Sequence, residues 1–188
     1  MIHLAVAHVV SELNEYLNLR APGPTPDRVV ADRLMTPDGK PNEKVGDKVV
    51  AMLVNVEQDR VFRPVDPFER AADGTSQFVR PEINVNLYVL FAANSTEYAE
   101  ALKSIAHVVA FFQHRAVFSI ADPAWDPVEE AKVTFELFTL SFEQQNDLWG
   151  AIGAKLMPCV MYKAGLLRIR DTRVEAEPAL VSEIRINE

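Results

Sequence analysis

The sequence predicts an α/β (α+β) fold, with a single mixed or antiparallel sheet packed against about three helices. Two patterns and a count support it. Apolar residues recur at three- and four-residue spacing over 2–17, 96–114 and 142–156. Between these stretches lie runs that alternate apolar with polar or stay apolar throughout, as strands buried on one face or both do. The chain has 188 residues, 48% of them apolar and 24% charged, which is one domain's length and enough to bury a core without disulfide or structural metal.

Taken in order, the first helix places Ile2, Val6, Val9, Val10, Leu13 and Leu17 on one face, and His3, Ser11, Glu12, Asn14, Glu15 and Asn18 on the others. Pro22, Pro24 and Pro26 end it, because each removes a donor and pushes its predecessor out of the helical region. A short strand over 28–35 and a turn over 36–42 follow. Residues 49–57 form a strand whose run from Val49 to Val54 is apolar enough to be covered on both faces. The stretch 60–81, with three prolines and Gly74, reads as a long loop anchored by Phe68 and Phe78.

The second half has the stronger patterns. Over 83–92, Ile83, Val85, Leu87, Val89 and Phe91 share one face of a strand. Asn94, Ser95 and Thr96 are three candidate N-caps for the second helix. Its expected buried stripe is Tyr98, Leu102, Ile105, Val109 and Phe112, widened by Ala101, Val108 and Phe111. A strand over 132–140 leads to Ser141-Phe142-Glu143-Gln144, a capping box that opens the third helix. Pro158 blocks that helix, and 159–169 forms the last core strand.

Composition and motif search exclude several functions. A net charge of −8 and a pI near 5.1 leave no basic face for nucleic acid. No apolar run is long enough to span a membrane, and the first residues show no signal-peptide pattern, so a soluble protein made in the cytoplasm is expected. His107 and His114 sit two turns apart on one helix, too far to share a metal, and His3 and His8 are five residues apart. The single cysteine, Cys159, opens an apolar strand and reads as structural and buried. No phosphate-cradling glycine loop or nucleophile motif is present, so no catalytic residue, cofactor or metal is expected.

What remains points to assembly. Trp125, between Asp122 and Asp126 in a proline-bounded turn, is an aromatic anchor for a partner. Arg168 and Arg170 share a strand face and make a small basic spot on an acidic protein. The chain divides into a domain over 1–170 and an extension over 171–188, the latter with five acidic and two basic residues. Within the extension, Leu180, Ile184 and Ile186 lie in a strand-like patch. It is either one more edge strand of the same sheet or an arm for a neighbouring subunit.

Several strings in the second half occur together in a known family. They are Asn86-Leu87-Tyr88-Val89-Leu90-Phe91-Ala92-Ala93-Asn94, then Phe111-Phe112-Gln113-His114-Arg115-Ala116-Val117-Phe118, then Ser141 through Trp149 and Gly153 through Lys163. In this order the chain resembles the cap, or tail-terminator, proteins of phage-tail-like contractile injection systems of the antifeeding-prophage and virulence-cassette type. The resemblance covers roughly 1–170 and is densest over 83–169. It implies a tail-terminator-like domain that forms a ring with itself, six-fold, on the distal end of an inner tube and sheath. There the ring would end tube growth and hold the last sheath layer, within a particle that is released or membrane-anchored. On the charge and motif grounds above, no cofactor, no nucleic acid and no membrane contact by this chain are expected. A baseplate or adaptor component of the same particle, or an enzyme with an unrecognised site, is the alternative.

Overall fold

The computed structural model describes residues 2–20, 26–59, 68–70, 76–78, 83–122 and 126–169. Helix α1 spans Ile2–Arg20, followed by strand β1 at Val29–Ala31, a single 3₁₀ turn at Glu43–Val45 and β2 at Lys48–Gln58. The short pair β3, Phe68–Arg70, and β4, Ser76–Phe78, precedes β5 at Ile83–Asn94. Then come α2 at Tyr98–His114, β6 at Val117–Asp122, β7 at Asp126–Phe138, α3 at Phe142–Ile152 and β8 at Cys159–Ile169.

Six strands form one mixed, curled sheet in the order β1-β2-β5-β8-β7-β6. Only β1 and β2 run parallel, and every other neighbour pair is antiparallel. Strands β3 and β4 form a separate antiparallel pair in which Phe68 and Phe78 are register partners. The two anchors expected in the long loop are therefore opposite positions of a small hairpin.

Two helices cover one face of the sheet. From α1, Ala5, Val9, Leu13 and Leu17 are buried against Val29, Val49, Phe91 and their neighbours. From α2, Phe111 and Phe112 enter an aromatic cluster. The Phe112 ring lies 4.1 Å from Tyr162, 5.0 Å from Phe135 and 5.4 Å from Phe91, between centroids. Because the sheet curls, α1 touches β1 at one margin and β6 at the other. Helix α3 covers part of the opposite face, where Trp149 is buried with Leu34, Val45, Val50, Leu90, Ala92 and Met161. The result is a three-layer arrangement, helix pair, sheet and single helix, each layer burying an apolar stripe.

Several expectations are corrected. Strand β1 is shorter than 28–35, and Met35 makes only an isolated bridge to Pro41 across the turn closed by Thr36 and Lys40. A strand not anticipated, β6, follows α2 and alternates exposed Val117 and Ser119 with buried Phe118 and Ile120. Strand β7 begins at Asp126, earlier than expected, because β6 supplies a partner for its first half. Helix α2 starts later than Thr96, with Glu97 at its N-cap and no side-chain cap. The three cap candidates are used otherwise, as described below.

The buried stripe of α2 is also narrower than expected. Ala101, Val108, Phe111 and Phe112 are buried, while Tyr98, Leu102 and Val109 are exposed. The aromatic cluster around Phe112 and the contact of Phe111 with Tyr16, 5.4 Å between centroids, turn the helix toward α1. Helix α3 has the expected capping box, with the Gln144 amide donating to Ser141 Oγ and the Ser141 amide donating to Gln144 Oε1. It ends at Ile152 rather than 156. Gly153, at φ 74°, takes the left-handed conformation that closes the helix before Pro158 is reached.

Candidate assembly surface

Strand β1 is an outer strand, and its outer edge is closed by a side chain of α1. Asn14 Oδ1 accepts hydrogen bonds from the Arg28 and Val29 amides, each at 2.9 Å, and Asn14 Nδ2 donates to the Val29 carbonyl at 2.8 Å. One carboxamide thus does at Val29 what a neighbouring strand would do, and it occupies that position of the edge. At the other margin, Glu12 of α1 pairs with Arg115 at 2.5 Å, and the Arg115 guanidinium lies 4.9 Å from the Phe118 ring centroid. Both margins of the curled sheet are therefore tied to α1.

A second device fixes the end of the sheet where β2 begins and β5 ends. Asp47 sits at φ 52°, a left-handed position that aspartate tolerates better than most residues. Its Oδ1 accepts from the Thr96 amide at 3.0 Å, the Thr96 hydroxyl at 3.2 Å and the Ser95 hydroxyl at 3.3 Å. The Thr96 amide, followed by its hydroxyl, holds the Asp47 carboxyl below the usual carboxylate range. Asn94 Nδ2 donates to the Val45 carbonyl at 3.0 Å. The three residues that resemble N-caps thus tie β5 and the start of α2 to the β2 entry, across 48 or 49 positions of sequence.

Beside this junction lies an open cleft of about 320 Å³, lined by Leu17, Arg28, Asp47, Lys48, Glu97 and Glu100 among others. Its charges are already engaged in part. Glu100 meets Lys103 at 2.7 Å, and that contact holds the Glu100 carboxyl low. Among the described residues, no group of three or more histidine, cysteine or acidic side chains is placed to hold a metal ion.

Cys159 is half-buried rather than buried, on a shallow pocket of about 210 Å³ that also includes Gln145, Leu137 and Met161. Burial pushes its thiol pKa up, an effect that Trp149 and Gln145 offset in part. A thiol shifted this way is a poor nucleophile.

Of the residues singled out as assembly contacts, only Arg168 falls within the described residues, as a position of β8 opposite Asn84. Trp125, Arg170, Leu180, Ile184 and Ile186 lie outside them. What sequence reasoning missed is a different set of exposed apolar side chains: Tyr98, Leu102 and Val109 on α2, and Phe142 at the start of α3. The signal for the α2 set was present in the sequence, as a helix apolar around too much of its circumference to bury it all.

The fold has solved counterparts. It aligns over 100% of its length with a sheath/tube terminator, in its extended state, of the extracellular contractile injection system PVC, at a TM-score of 0.61 and 13% identity. It aligns over 97% of its length with the tube-terminating cap of the anti-feeding prophage, at a TM-score of 0.55 and again 13% identity. The chain spans 63% and 61% of those two chains. No curated protein matches the sequence.

The fold is therefore the α+β type seen in tail terminators. The sequence profile of the Pvc16 N-terminal domain matches residues 6–183, nearly the whole chain, and the chain belongs to that family.

Proposed function

We propose that this chain is a structural cap of a contractile injection particle. It sits as a ring of like subunits on the end of the inner tube and sheath, where it ends tube growth and holds the last sheath layer. The observation that carries this reading is the alignment of the whole described fold with two terminators, together with a family match over 6–183. A cap needs a rigid body with assembly surfaces, and the molecule fits that need. Contacts of α1 through Asn14, Glu12 and Arg115 hold both margins of the sheet in place.

On this reading the partners are other copies of the chain, arranged six-fold, and the tube and sheath subunits. Trp125, the Arg168 and Arg170 spot, and the patch of Leu180, Ile184 and Ile186 serve as contacts, the last as an arm from the extension over 171–188. The chain is made in the cytoplasm and leaves it as part of the particle. It contributes binding, with no chemistry of its own.

The test is reconstitution. Purified protein is added to growing tubes assembled from the particle's own tube and sheath subunits, and the mixture is imaged by negative-stain electron microscopy. The expected result is ring-shaped density at one end of each tube and no further growth there. Binding along the sides, or growth that continues unchanged, contradicts the reading.

A further inference from the structure

Helix α2 is apolar on two sides, and among the described residues one of them is buried internally. Ala101, Val108, Phe111 and Phe112 are buried. At about 100° of helix per residue, Tyr98, Ala99, Leu102, Ala106, Val109 and Ala110 occupy an adjoining arc of roughly 120°, with the uncharged Gln113 at its C-terminal end. All six are exposed, Tyr98 by 68%, Leu102 by 47% and Val109 by 38%. No charged side chain lies in that arc, and Lys103 at its border is held by Glu100.

Exposed positions of α1 include Glu15 and Arg20 beside Leu19, and those of α3 include Glu143 and Asp147; on α2 the exposed charges of Glu100 and Lys103 lie outside the arc. A chain with net charge −8 meets a copy of itself against electrostatic repulsion, so a charge-free face is where such a meeting costs least. Alanines at 99, 106 and 110 keep the arc low enough for close approach by a bulky partner side chain.

That side chain is present on the opposite layer. Helix α3 is seated on the other face of the sheet through Trp149, yet Phe142, its first residue, is 92% exposed. Glu143 and Asp147 beside it disfavour a contact between two Phe142 ends, which would gather carboxylates. The neutral α2 arc carries no such objection.

We infer that the outer arc of α2 on one copy receives the Phe142 end of α3 on the next, in a head-to-tail contact between copies of this chain. Such a contact uses two different faces of each subunit and so builds a ring, or an open chain where the rotation does not close, rather than a closed dimer. An arc about 20 Å long and about 10 Å wide supplies about 200 Å² per partner, against about 800 Å² in a typical stable interface. A stable contact of this kind therefore needs a wider polar rim around the arc, which would form its dry centre. The inference rests on the proposed cap function only in requiring that copies meet, and the experiment reads that directly without tube or sheath.

The experiment uses Leu102→Glu and Phe142→Glu in the full chain, with mass measured by analytical ultracentrifugation. Wild-type protein is expected to form oligomers. Each variant alone is expected to lose them, with unchanged circular dichroism and melting temperature because both side chains are exposed. Mixed in equal amounts, the variants are expected to form one-to-one heterodimers and nothing larger, since each retains the face the other lacks.

The inference is overturned if Phe142→Glu alone forms dimers, which would pair two α2 arcs. It is equally overturned if the mixture stays monomeric, if wild type is monomeric, or if both variants assemble as wild type does. A lower melting temperature for Leu102→Glu with unchanged assembly would show the arc covered by the chain's own 171–188 segment, and would also overturn it. Heterodimers from a protein that fails to cap tubes would leave this contact standing and remove the cap reading instead.

Discussion

The carboxamide of Asn14 takes both backbone hydrogen-bonding groups of Val29, the amide at 2.9 Å and the carbonyl at 2.8 Å. A helix side chain thereby stands in for a missing strand. Asn14→Ala leaves partly buried backbone groups unpaired, at about 1–3 kcal/mol. Asn14→Asp keeps the acceptor, loses the donor and should fall between the two. Urea unfolding of the three proteins measures the order. Equal midpoints for wild type and Asn14→Ala would contradict it.

Asp47 should shape the acid limb of stability. Its carboxyl is held low in the folded state by the Thr96 amide and hydroxyl, so the charged form is the one that supports the fold. That contribution is complete above the unfolded value of about 3.9 and disappears as pH falls through the folded value. Asp47→Asn should be less stable than wild type at neutral pH, with the difference shrinking below about pH 4. Asp38 and Glu100, held low by Thr36 and Lys103 respectively, keep an acid limb in the variant. Melting temperature against pH for both proteins checks this.

Phe112 is the side chain on which the helix layer depends. It is buried, and its ring meets those of Phe91, Phe111, Phe118, Phe135 and Tyr162. Phe112→Ala should cost about 3–5 kcal/mol, a large part of a typical domain's stability. Phe112→Leu should cost less by retaining volume. Chemical denaturation distinguishes them, and a loss below about 1 kcal/mol for the alanine variant would refute the packing account.

Deleting 171–188 should leave the melting transition of the domain in place and weaken association with copies or with the tube. Melting and sedimentation of the truncated chain test this together. Assembly equal to that of the full chain would remove the arm from the account.

The elements legible in the sequence were those decided locally. The Ser141 and Gln144 box closes within four residues, and β8 begins and ends where the apolar run from Cys159 does. What was not legible depends on contacts distant in sequence. Asn14 reads as a solvated helix position until β1 is laid beside it. Ser95 and Thr96 read as caps until Asp47 takes their donors.

In α2 the 3.6-residue period identified a helix and its buried residues but drew the buried stripe too wide. Apolar residues fill two adjoining arcs, and only the aromatic rings of Phe91, Phe135 and Tyr162 choose between them. The exposed arc at Tyr98, Leu102 and Val109 is the part of the candidate surface that periodicity assigned to the core. Strand β6 was missed because Val117 to Ile120 alternates over too few residues to stand out beside Asp122 and Pro123.

The most direct test of the cap function is the length of tubes in particles made with and without this chain. Particles are purified from cells that express the whole assembly, and from cells lacking only this protein, then measured by electron microscopy. The account predicts uniform, fully sheathed tubes in the first case and, in the second, tubes of variable length with sheath lost from the uncapped end. Tubes of the same uniform length with sheath intact in both would contradict it.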